Sequence, residues 1–209
     1  MKRVLTLILV LLMVLSLCGC GGGADAKTTA REETVSTDIL EVTVKKAALA
    51  YAAAGASYDA RTNVVVNLDE ACEPADSGLY QSNKGRCLLC IDFVLKNTDR
   101  ATIDTDDCSV QFTVKQNEKS ADVRGYDFND PDGSGLGGLR LAYMPISVDG
   151  GDFIHNETLN KLIDAGQSLE IKYVGVVGFE PDALDDPFEV VVSIPNSAGE
   201  RETFTYAVN

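Results

Sequence analysis

Apolar and polar residues alternate along most of the chain, and a period of two marks a strand with one buried face. Leu40, Val42 and Val44 share one parity, whereas Ala47, Leu49 and Tyr51 share the other. A parity switch inside one run predicts a β-bulge at Lys45-Lys46. Val64, Val66 and Leu68 alternate next. Cys87, Leu89, Ile91, Phe93 and Leu95 form one face of a longer strand ending at Asn97, and Cys108, Val110, Phe112 and Val114 one face of another. Leu139 to Ile146 reads as a weaker strand. Leu169, Ile171, Tyr173, Val177 and Phe179 mark a long one, followed by Phe188, Val190, Val192 and Ile194, and then Phe204, Tyr206 and Val208. One stretch departs from the pattern. Asn156 can cap a short helix, Leu159, Leu162 and Ile163 have helical spacing, and Gly166 can end it. About eight strands and one short helix predict an all-β domain, and their irregular spacing favours a sandwich of two aligned sheets over a barrel.

The start of the chain follows a different rule. Met1-Lys2-Arg3 is positive, and the fourteen residues Val4 to Leu17 are apolar except for Thr6 and Ser16. A membrane-spanning helix needs roughly 20 apolar residues, so this run reads as a secretory signal peptide. Leu17-Cys18-Gly19-Cys20 resembles the bacterial lipobox, with Leu three places before the cysteine and a small residue just before it. Cys20 fits and Cys18 does not, because Leu17 would stand where a small residue is required. The resemblance implies cleavage after residue 19 and lipidation of Cys20 by palmitate-type acyl chains. Two or more such chains anchor a protein stably to a membrane. Residues 20–37, with "GGGADAKTTAREETVST" after Cys20, read as a lipidated N-terminus and flexible tether. Residues 38–209 are left as the folded domain.

Charge narrows the partners. The chain has 18 basic and 32 acidic residues and a net charge of −14. Cleavage removes Lys2 and Arg3 and takes the net charge to −16. Such a surface repels nucleic acid, so neither DNA nor RNA is expected as a partner.

The segments "CLLCIDFVLKNTDRATI", "CSVQFTVKQNEK", "LIDAGQSLEIKYVGVV" and "PFEVVVSI" together resemble the immunoglobulin-like, telokin-like domains of bacterial lipoproteins. The shared marks are a strand ending at Lys96-Asn97-Thr98 and a Gly-led turn at Ala165-Gly166-Gln167 that opens a late strand. The resemblance spans 38–208 and implies an immunoglobulin-like β-sandwich displayed on the extracytoplasmic face of the cell membrane. The role it implies is binding or scaffolding of a protein or cell-wall partner. The loops at 71–86 and 119–138 are then the expected contact surface.

Four cysteines remain after Cys20: Cys72, Cys87, Cys90 and Cys108. In an exported protein an even number predicts two disulfides, and three connectivities are possible. Parity puts Cys87 and Cys108 on apolar faces and Cys90 on the opposite side, which leaves the pairing open. Cys87-Leu88-Leu89-Cys90 also has zinc-ligand spacing, but a strand sends residues three apart to opposite faces. In "DFNDPDGSGLGG" the side chains of Asp127, Asn129, Asp130 and Asp132 offer oxygen ligands suited to calcium. Phe128 and Leu139 occupy two ligand positions of the EF-hand pattern, so calcium is an alternative reading beside an ordinary turn. His155 is the only histidine, and no nucleophile–base pair surrounds it. The expectation is a non-enzymatic domain without a cofactor.

Overall fold

A computed structural model describes residues 27–29, 32–53, 80–82, 85–104, 110–125, 144–155 and 162–208. In chain order the strands are β1 (Lys27–Thr29), β2 (Thr34–Ser36), β3 (Leu40–Ala50), β4 (Ala52–Ala53), β5 (Tyr80–Gln81), β6 (Cys87–Asn97), β7 (Ile103–Asp104), β8 (Gln111–Gln116), β9 (Lys119–Gly125), β10 (Pro145–Val148), β11 (Ile154–His155), β12 (Leu162–Ile163), β13 (Ser168–Val177), β14 (Phe188–Pro195) and β15 (Arg201–Val208). No helix occurs among the described residues. The described residues form an all-β sandwich.

One layer runs β1-β15-β14-β8, and the other runs β2-β3-β6-β13 with β10 and β11 beyond β13. β9 joins the two. Its first half pairs with β8, and Val123 to Gly125 pair with Val177 to Gly175 of β13. A strand that changes layers needs small residues at the corner. Gly175 lies opposite Gly125, and a Cβ added there would run into the Val123 side chain and stand 2.8 Å from Tyr173 Cε1.

The inner faces supply the core. Phe93 of β6 meets Phe112 of β8 edge-on at 5.1 Å, and Phe112 lies 6.0 Å from Tyr173 of β13. Leu40, Val42, Val44, Leu89, Ile91, Leu95, Ile171, Val190 and Val192 are buried around them. Each such side chain contributes about 1.5–3 kcal/mol through burial.

Tyr206 of β15 ties one layer to the other at their far edge. Its hydroxyl donates to the carbonyls of Glu33, at 3.0 Å, and Val42, at 3.3 Å. At the end of the sandwich Thr37 donates to the Pro195 carbonyl at 2.9 Å, and Asp38 accepts from the Ser197 amide and hydroxyl. Those bonds from Ser197 hold the Asp38 carboxyl below its usual range.

Several expectations stand corrected. The parity switch is a real bulge, with the β3–β6 register shifting between Val44 and Lys46. Strand pairing, however, reaches back into the segment read as tether: β1 lies parallel to β15 and β2 antiparallel to β3. The expected helix fails where it can be seen. Leu162 and Ile163 pair with Asp104 and Ile103 as β12 and β7, because Ile163 is needed in the core. Residues 156–161 lie outside the described residues. Residues 119–125 of the loop expected over 119–138 are a strand instead, and residues 126–138 lie outside the described residues. Asn117 takes a φ of 53°, so a tight hairpin returns the chain as β9. β5 occupies part of the 71–86 stretch and pairs with β4. The strand read at Val64 to Leu68 lies outside the described residues.

Burial also sets a pH response. Burial pushes the Cys87 thiol up from 9.0 to about 12. Burial, reinforced by nearby Glu33, pushes the Tyr206 phenol from 10.0 to about 12 against an opposing backbone bond at Val44. The folded state keeps both protons to higher pH than the unfolded chain does. The stability these two groups contribute is therefore complete below about pH 9 and falls between there and about pH 12, by at most about 1.4 kcal/mol per pH unit for each group. Thermal melts should show a Tm that holds to about pH 9 and then declines, with a shallower decline in Cys87→Ala. A Tm unchanged to about pH 11 would contradict the burial of both groups.

Candidate functional site

β6 and β13 are central strands, and β6 is buried on both faces from Cys87 to Phe93. With Phe93 and Tyr173 pointing inward, alternation sends Leu88, Cys90, Asp92, Lys172, Val174 and Val176 to the outer face. There the register sets residues in rows: Lys96 beside Glu41, Val94 between Glu170 and Thr43, and Asp92 between Lys172 and Lys46. Two ion pairs follow these rows, and one more reaches Glu170 from Lys45 in the bulge. Lys96 Nζ is 3.0 Å from Glu41 Oε2, Lys45 Nζ is 2.6 Å from Glu170 Oε2, and Lys172 Nζ is 3.0 Å from Asp92 Oδ2. The first two pairs are partly exposed and worth little. The third is different, with side chains only 14% and 9% exposed.

Lys172 also sits 4.9 Å from the centre of the Phe153 ring, an added cation–π contact. Asp92 Oδ1 is buried and has no hydrogen-bond partner. Beside it lies a cleft of about 450 Å³ lined by Glu32, Thr43, Lys45, Lys46 and Asp92. Its charges are mixed, and of these Lys45 pairs with Glu170 and Asp92 with Lys172. The arrangement can hold a polar group by hydrogen bonds.

Of the residues singled out by sequence, Cys20, Cys72, Cys108, Asp127, Asn129, Asp130 and Asp132 lie outside the described residues. Cys87 and Cys90 are both wholly buried in β6 and are not bridged to each other. They stand on opposite faces, so no single ion can take both. A thiol pushed up to about 12, as at Cys87, is neutral at ordinary pH and is neither a nucleophile nor a metal ligand in that form. No group of three or more metal-ligating side chains is found among the described residues. His155 belongs to β11 and pairs with Pro145. The acidic loop after β13 is tied down: Asp182 is 2.5 Å from Lys119 and accepts from Asn117 at 2.8 Å. Those partners hold the Asp182 carboxyl below its usual range.

Sequence reasoning did not single out Asp92. Its signal was the run Leu88-Leu89-Cys90-Ile91, apolar on both parities. Such a run marks a doubly covered strand, and a carboxylate that continues it needs a buried partner.

No protein-family model and no curated protein matches the chain. Among solved structures, an uncharacterized beta-sandwich protein from Clostridium difficile 630 is 13% identical with a TM-score of 0.47, covering 91% of this chain and 99% of that one. A candidate lipoprotein, ycdA, from Bacillus subtilis is 15% identical with a TM-score of 0.37, covering 83% of this chain and 38% of that one. The assignment as a sandwich is carried by the strand order and the packing between its layers.

Proposed function

We propose that the chain is an extracytoplasmic lipoprotein, anchored through Cys20, whose immunoglobulin-like sandwich acts as a non-enzymatic binding or scaffolding module. The observation that carries this reading is the apolar run ending in Leu17-Cys18-Gly19-Cys20, placed just ahead of an all-β domain. Six residues separate Cys20 from β1. Fully extended, the link from Cys20 to Lys27 spans at most about 25 Å, so the sandwich would stay close to the membrane surface. The partner would be a protein or a cell-wall component.

Labelling with radioactive palmitate in a bacterial host tests the anchor. The native chain should take up label and fractionate with membranes, and Cys20→Ala should lose the label and leave the membrane fraction. Label retained by Cys20→Ala would move the anchor elsewhere, and an unlabelled native chain would end the lipoprotein reading.

A further inference from the structure

The other end of the outer face is built differently. Leu88 lies beside Val176, and Val176 beside Arg124. One step further along, Arg86 precedes β6, Gly178 follows β13 and Asp122 sits in β9. Gly178 has no side chain, so a gap opens between the flanking residues. Arg86, Ala121, Asp122, Arg124, Val176 and Gly178 line the resulting cleft, of about 270 Å³.

Its electrostatics are unusual for so acidic a chain. Nη1 of Arg86 is buried without a hydrogen-bond partner. A guanidinium carries five donors, and a buried donor left unsatisfied is costly. The carboxylate in the lining does not neutralise it. No ion pair among the described residues involves Arg86 or Arg124, and Asp122 Oδ1 accepts instead from the Thr113 hydroxyl at 2.7 Å. Two cations and one anion thus face one small cleft without pairing among themselves.

We propose that this cleft binds a free amino acid through its main-chain charges. The planar forks of Arg86 and Arg124 match an α-carboxylate, which two guanidiniums can grip with parallel hydrogen bonds. Asp122 receives the α-ammonium group. A ligand with only negative charge would face Asp122 unfavourably, and a phosphate dianion more so than a carboxylate. A zwitterion satisfies all three groups at once. The inference deepens the reading of the domain as a binding module and rests on it.

Isothermal titration calorimetry on the full chain in detergent tests the site, with L-alanine as the probe. N-acetyl-L-alanine lacks the ammonium, L-alaninamide lacks the carboxylate, and inorganic phosphate is the anion control. L-Alanine should bind, and both derivatives and phosphate should bind about tenfold more weakly or not at all. Arg86→Gln and Arg124→Gln keep most of the stem and should each lower affinity about tenfold or more, with thermal midpoints close to native. Gly178→Val should block the cleft without unfolding the domain, because a Cβ there meets only Ala121 Cβ at an ordinary 3.7 Å. Phosphate binding as tightly as L-alanine would replace the amino-acid site with a general anion site. L-Alanine binding that survives both arginine variants would place the ligand elsewhere and leave the binding-module reading standing. No binding of any probe would overturn the proposal. Membrane anchoring is unaffected by any of these results, because palmitate labelling reads Cys20 alone.

Discussion

Replacing Lys172 with methionine is expected to destabilise the domain by about 3–5 kcal/mol, because it strands the Asp92 carboxylate in the buried outer face. Lys172 is the partner of Asp92 Oδ2, and Asp92 Oδ1 has no partner to fall back on. Water cannot readily replace the ammonium at a side chain only 9% exposed. Removing the carboxylate instead should cost less, since the long stem of Lys172 can carry its charge outward while staying packed. The decisive variant is the double one. Asp92→Leu with Lys172→Met leaves no charge behind and should lie within about 1 kcal/mol of the native protein or above it. Urea unfolding with an unchanged m value would give all of these energies. A Lys172→Met variant that loses less than about 1 kcal/mol would mean that Asp92 is not a buried charge. The pair then says something about architecture. Hydrophobic residues would serve stability equally well at these two sites, so the ions are better understood as fixing the β6–β13 register. A one-residue slip would put Asp92 into the aromatic core beside Phe112.

Much of this architecture was legible in the alternation of residues. β3, β6, β13, β14 and β15 each carry three or more apolar residues on one parity, and the bulge at Lys45-Lys46 announced itself as a parity switch. β9 was not legible for a physical reason. It turns a corner between layers, so its inner positions hold Ala121, Val123 and Gly125, too small to signal a buried face. β1, β2, β7 and β12 are short strands of two or three residues, and pairing with longer neighbours defines them more than their own pattern does. At Leu162 and Ile163 the apolar spacing suits a helix as well as a strand, and the core demand at Ile163 decides between them. The two clefts lie beyond any linear reading. Arg86 and Arg124 come together only through the β6–β13–β9 pairings, and Asp92 meets Lys172 only through the β6–β13 register.

Replacement of Asn97 by alanine is expected to cost about 2–4 kcal/mol, because the side chain serves three backbone groups at once. Asn97 is completely buried at the end of β6. Its Nδ2 donates to the carbonyls of Ala101, at 2.8 Å, and Ile163, at 2.9 Å, and its Oδ1 accepts from the Asp99 amide at 2.8 Å. Its own backbone is equally occupied, with the amide donating to the Gln167 carbonyl and the carbonyl accepting from Gly166, both at 3.0 Å. One residue therefore holds the turn after β6, the β12 strand and the Gly166 turn that feeds β13. Alanine would leave two carbonyls and an amide without their partner. Ala101 is exposed, so water can recover part of the loss there, but Ile163 is wholly buried and cannot be reached in the same way. Aspartate is nearly the same shape and makes the sharper test. It can still accept from the Asp99 amide, but it would point a charge at two carbonyl oxygens, so Asn97→Asp should be less stable at neutral pH than near pH 4, where a protonated acid can donate one bond. Urea titrations of both variants at the two pH values would measure this. Losses below about 1 kcal/mol for both variants would show that the turns hold themselves. The expected result would instead make Asn97 a fastener joining the turn after β6 to the Ile163–Gln167 segment, distant in sequence.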